Sequence, residues 1–125
     1  MDSNDWTFDR KPYDLRERLF LFACVIVRLV KFLHTQGPIA TALSYQVLKA
    51  GTSAGANYEE ADDGSGRRDA RAKKRIVLRE LKETLWRLRV LRASAFLSEA
   101  HDPVISEAAE LVRIVASIVR NTADE

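Results

Sequence analysis

The chain reads as an all-α protein, an antiparallel up-down-up-down four-helix bundle, on three observations. Its 125 residues are enough for one core, and only 5 Gly and 3 Pro are too few for a turn-rich barrel or sandwich. Apolar residues recur at steps of three and four through four separate segments. No segment shows the strict alternation of a strand, and the breaks between segments are short, which favours antiparallel neighbours. The predicted organisation is a leader over residues 1–13 and a single bundle domain over 14–121, with helices at about 14–35, 38–62, 67–97 and 103–120.

After the aromatic leader (Trp6, Phe8, Tyr13), the first helix carries Leu15, Leu19, Phe22, Ile26, Leu29 and Leu33 on one face. Gly37-Pro38 ends it and opens the second, because glycine tolerates the left-handed cap and proline lacks only a donor that a first turn does not use. The second helix has a thin stripe of Leu43, Val47, Ala50, Ala54 and Ala61, which with Gly51, Ser53 and Gly55 allows a neighbouring backbone to come close. Asp63-Gly64-Ser65-Gly66 is the clearest loop; it lacks the Lys-Ser/Thr of a phosphate-binding P-loop and reads as a turn. The third helix places Val77, Leu81, Leu85, Leu88, Leu91 and Ala95 on its apolar stripe. His101-Asp102-Pro103 starts the last, with Val104, Ala108, Leu111, Val115, Ile118 and Val119 facing the core.

Several classes of function are set aside by composition. The beginning Met1-Asp2-Ser3-Asn4-Asp5 is acidic where an export signal would be basic, and the apolar run from Leu19 to Val27 is closed by Arg28 and Lys31, far short of the roughly 20 residues that span a bilayer. A cytoplasmic protein without membrane contact is expected. A single cysteine, Cys24, excludes a disulfide framework and reads as a small buried hydrophobe.

The net charge of +2 conceals an asymmetry. From Arg67 to Arg92 eleven basic residues stand against three acidic ones, a charge of +8, while the remaining nine basic and fifteen acidic residues carry −6. Arg67, Arg68, Arg71, Lys74, Arg75 and Arg79 at the start of the third helix form a candidate phosphate-binding edge, since guanidinium groups match phosphate oxygens and release counterions on contact. The competing reading is local neutralisation. Glu59, Glu60, Asp62 and Asp63 end the second helix, where the macrodipole disfavours anions, and the loop returns them to cations that the third helix's start disfavours.

Glu80, Glu83 and Arg87 share one face of the third helix, and Asn57 and Glu60 one face of the second. A carboxylate metal site is excluded by ligand spacing: bundle di-metal sites use Glu-x-x-His pairs, and His34 and His101 lie at helix ends. These five residues are therefore expected to form a structural polar network or a subunit interface. Tyr45, Tyr58 and Trp86 are able to stack on bases but are read first as core or interface aromatics.

Two motifs carry a family resemblance. Gln46, Ser53, Ala56-Asn57 and Glu60 in the second helix, with Leu78, Glu80, Glu83-Thr84, Trp86 and Leu88 in the third, resemble the four-helix bundle family encoded in bacterial 23S rRNA intervening sequences. The likeness covers most of the chain in helix order. Two positions depart from the pattern: a charged residue within Arg71 to Arg75 replaces a usual Phe, and Ala61 replaces a Gly. The resemblance implies a left-handed antiparallel bundle assembling as a ring, typically a homopentamer, with no established catalysis; no cofactor is expected. Relatives among the accessory proteins of diversity-generating retroelements look like basic pentameric bundles that contact reverse transcriptase and nucleic acid. The resulting expectation is a non-enzymatic homo-oligomer that binds RNA or a ribonucleoprotein through the basic edge. The alternative is a protein-binding or scaffolding module whose charged edge serves subunit assembly alone.

Overall fold

Asp14 begins the first helix by accepting a hydrogen bond from the Arg16 amide at 3.0 Å, satisfying one of the donors that a helix start leaves open. In the computed structural model, which describes residues 5–61 and 66–122, four α-helices follow in order: α1 (Leu15–Leu33), α2 (Pro38–Ala61), α3 (Arg67–Ala93) and α4 (Asp102–Thr122). α1 packs on α2, α2 on α3 and α3 on α4, the arrangement of an up-down four-helix bundle. Among the described residues no helix is long and apolar enough to cross a membrane.

The core is built from one stripe per helix: Leu19, Phe22, Ile26, Leu29 and Leu33 from α1; Val47, Ala50 and Ala54 from α2; Val77, Leu81, Leu88 and Leu91 from α3; Val104, Ala108, Leu111 and Val115 from α4. Leu85 is only half-buried at the edge of this core, and Thr84 is buried inside it, satisfied by donating to the Glu80 carbonyl at 2.8 Å. α2 is thin for a reason visible at Gly51. A Cβ built there would lie 2.9 Å from both Cγ atoms of the fully buried Ile26, so the α1–α2 spacing depends on the missing methyl. Gly55 is different: its Cβ would make ordinary contact with Leu19 at 3.6 Å.

α3 stops at Ala93, four residues before the expected Leu97. Ala95 takes a left-handed backbone (φ +67°), the Phe96 amide reaches back to the Leu91 carbonyl at 3.0 Å and the Ala95 amide to the Arg92 carbonyl at 3.2 Å. This is the six-to-one and five-to-two pattern that closes helices, usually with glycine at the left-handed position. With alanine there, the stop leaves no compositional trace, and Ala95 leaves the apolar stripe for solvent. Phe96 and Leu97 instead turn back against the core. A short 3₁₀ turn, Glu99–His101, then leads into α4, and Arg92 Nε donates to Asp102 Oδ1 at 2.9 Å across the corner.

Residues 5–13 pack onto the bundle rather than standing apart from it. Trp6 is 5% exposed and lies in the core cluster, edge-on to Phe32 at 6.2 Å between ring centroids and against His101 at 5.1 Å. The Arg28 guanidinium sits 4.0 Å over the indole and donates to the Asp5 carbonyl. His101 is itself buried. Its Nδ1 accepts from the Ser98 amide at 2.9 Å, so the neutral ring carries its proton on Nε2, an atom with no hydrogen-bond partner among the described residues.

Near the start of α1, a buried ion pair joins that helix to α4. Arg18 forks onto Glu107 with Nε and Nη2 each 2.8 Å from a carboxylate oxygen, and Glu107 is 1% exposed. Glu110 and Lys11 extend the pair, at 3.0 Å from Arg18 to Glu110 and 3.1 Å from Lys11 to Glu110. Hydrogen bonds to Glu107 hold the Arg18 guanidinium still more firmly protonated than usual, and hydrogen bonds from Arg18 and Lys11 lower Glu110. Cys24, expected inside the core, faces solvent instead: it lies off the Leu19–Phe22–Ile26 row of α1.

Two outcomes follow from this packing. Gly51→Ala is expected to lower stability by about 1–2 kcal/mol in denaturant melts, overpacking against Ile26 outweighing the roughly 1 kcal/mol helix gain, while Gly55→Ala is neutral or stabilising. His101 is shifted below its ordinary value, chiefly by burial. Because the folded state then binds the proton more weakly than the unfolded state, His101 contributes stability above about pH 6.5 that is lost as pH falls through its folded value. Thermal midpoints between pH 8 and 5 are expected to fall more steeply for the unaltered chain than for His101→Gln.

Candidate nucleic-acid interface

α3 buries Val77, Leu81, Thr84, Leu88 and Leu91, which at 3.6 residues per turn occupy one side of the rod. The opposite side is therefore forced outward. Arg68, Ala72, Arg75, Arg79, Lys82, Trp86 and Arg89 recur on it at steps of three and four, and all seven are exposed. Five of these positions are cationic and none is acidic. From Arg68 to Arg89 the row is about 32 Å long at 1.5 Å per residue.

The six residues read in the sequence as a basic edge separate into two groups. Arg68, Arg75 and Arg79 lie on the outer row, with Arg67 exposed in the first turn beside it. Arg71 and Lys74 are half-buried on a flank. Sequence density chose the cluster at the start of the helix; helical phase, read against the core stripe, adds Lys82, Trp86 and Arg89. Arg79 approaches Glu80 at 3.8 Å but keeps an exposed side chain, a contact worth little in water.

Local neutralisation occurs as well. Lys73 Nζ meets Glu60 Oε2 at 2.5 Å, joining the end of α2 to the start of α3, and Glu59 instead faces Arg16 of α1 at 3.9 Å. Asp62 and Asp63, with the Gly64-Ser65 part of the turn, lie outside the described residues. Gly66 precedes α3 with φ +112° and no side-chain cap, so Asp69 is the acidic group of a first turn crowded with arginine.

The structure places the five residues expected to form one polar network in separate contacts. The Asn57 amide donates to the Ser53 carbonyl of its own helix at 2.9 Å, Glu60 turns outward to Lys73, and Glu83 pairs with Arg87 at 3.3 Å one turn on. Glu80 is half-buried beside Arg79. Asn57 bonds within α2 because an amide in a helix interior reaches the carbonyl four residues back before it reaches a neighbour. Among the described residues no three His, Cys, Asp or Glu side chains gather as metal ligands would.

Trp86 is 58% exposed, with the Arg87 guanidinium 6.0 Å from its ring centroid, and it borders a cleft of about 180 Å³ lined by Leu43, Arg87, Val90 and Leu91. Tyr45 is also exposed and contacts His34 edge-on at 5.5 Å between ring centroids, whereas Tyr58 is half-buried against the core. The large exposed apolar side chains further include Phe20, Val27 and Ile39 on α1 and α2.

No protein-family model and no curated protein matches the chain. Among solved structures it is similar to the crystal structure of a protein of unknown function from the S23 ribosomal protein family of Bacteroides thetaiotaomicron. The two superpose with a TM-score of 0.77 and share 29% sequence identity, over 85% of this chain and 98% of that one. The resemblance carried by the motifs of the second and third helices thus holds for the three-dimensional structure.

Exchange of Glu60 for Gln removes an exposed ion pair, so it is expected to change stability by less than about 1 kcal/mol in denaturant melts.

Proposed function

We propose that this chain, a member of the S23 ribosomal protein family by its fold and its 29% identity along nearly the whole of a solved member, is a non-enzymatic, self-associating bundle that binds RNA or a ribonucleoprotein through α3. The observation that carries the reading is the outer row of α3, five cations and no carboxylate on a face the bundle leaves in solvent. Polyanions gain from such a row because each phosphate it neutralises frees condensed counterions. Arginine dominates it, and its planar fork suits phosphate oxygens better than the point charge of lysine.

Self-association is supported by the exposed Phe20, Val27, Ile39 and Tyr45 on α1 and α2 and by the homopentameric ring that the family resemblance implies. In a ring the row would recur in every subunit, so weak single contacts would add as avidity. A scaffolding role without nucleic acid draws on the same apolar residues and on the Glu60–Lys73 pairing.

The two readings separate by salt and by charge reversal. At low salt, titration with structured RNA is expected to give saturable binding that weakens steeply as salt rises. Arg75→Glu with Arg79→Glu should lower affinity at least about tenfold and flatten the salt slope by about 2, while the mass in solution persists at high salt. No binding at low salt, or binding indifferent to the reversal, would leave assembly as the function.

A further inference from the structure

From the position of Trp86 in the cationic row, and resting on the reading of α3 as a nucleic-acid face, we infer that the strand bound there is single and that one of its unpaired bases stacks on Trp86. The indole stands between Lys82, about 6 Å earlier along the helix axis, and Arg89, about 4.5 Å later, so a ring and two flanking cations repeat the order of base and phosphates. The core does not claim this residue: Thr84 and Leu88, on either side of it in sequence, are fully buried while Trp86 is 58% exposed.

The ring is also available. Among the described residues it has no aromatic neighbour, and Arg87 lies 6.0 Å from its centroid, at the outer limit of a cation–π contact. The cleft beside it, with Leu43, Val90 and Leu91 in its walls, offers an apolar shelf for the edge of a stacked base. A duplex does not use these features, because its bases cover one another and present only edges in the grooves. An unpaired strand exposes base faces and phosphates together, and stacking on an aromatic ring is tolerant of sequence because every base has a π-face. A second copy seated on Trp86 would bring its own subunit against a row of five cations. Polyanion chemistry fits that row directly.

The test uses the full chain, a labelled oligoadenylate and a blunt RNA duplex at low salt. Trp86→Ala should weaken oligoadenylate binding by roughly 5- to 100-fold, with Trp86→Phe retaining most of it and duplex affinity changing less than about twofold for either variant. Oligoadenylate should quench the emission of the unaltered chain, and in Trp86→Phe, where Trp6 is the remaining indole, that quenching should vanish. Equal losses on single strand and duplex, no loss for Trp86→Ala, or a fall in assembly mass for that variant would overturn the inference while leaving nucleic-acid binding in place. Failure of the unaltered chain to bind either nucleic acid would instead remove the functional reading on which it rests.

Discussion

A carboxylate held out of water must be matched by its counter-charge, and Glu107 imposes that condition on the bundle. Desolvating an ion costs several kcal/mol, and only close, hydrogen-bonded pairing offsets it. Arg18 meets the condition with both arms of its guanidinium, which leaves little freedom in how α1 and α4 rotate against each other. In the folded bundle the stripes of α1 and α4 face inward together. α2 and α3 complete the enclosure, and α3 turns Val77, Leu81, Thr84, Leu88 and Leu91 toward the centre. The cationic side of α3 is outward as a result of how the core is filled.

The small face of α2 serves the same closure. Where most bundles interdigitate large side chains, Gly51 admits Ile26 against the helix backbone itself, so α1 and α2 approach more closely than leucines would allow. At the far end, Trp6 lies against Phe32 and His101 and is covered by Arg28. The stretch over residues 5–13 is therefore a fifth packing element, contributed by chain outside any helix or strand.

Helix order, the Gly37-Pro38 corner and nearly all the core were legible in the sequence, because three-and-four periodicity is a direct imprint of burial. What was not legible has identifiable causes. The end of α3 rests on Ala95 in a left-handed conformation, which carries no compositional signal. Arg18 and Glu107 are 89 residues apart, beyond the reach of any spacing rule. Cys24 was placed inside because it sits in an apolar run, yet a run longer than a turn must put some members on the outer side. The candidate site shows the same distinction. Counting charge located α3 and its start, while only phase against the buried row separates Arg75, Arg79, Lys82 and Arg89 from Arg71 and Lys74 and brings Trp86 among them.

The Arg18–Glu107 pair has a further consequence for how the molecule persists in time. Neighbouring helices of an up-down bundle meet through contacts close in sequence, and such contacts form early and fast. The α1–α4 pair instead closes a loop of 89 residues, so its closure carries the larger entropy cost and is expected to come after the neighbouring helices have paired. Interactions made late leave the folding rate nearly untouched and act on the rate of escape from the native state. The charge buried at this seam is thus expected to act as a latch on the lifetime of the fold, apart from the leucine rows that set how quickly it forms.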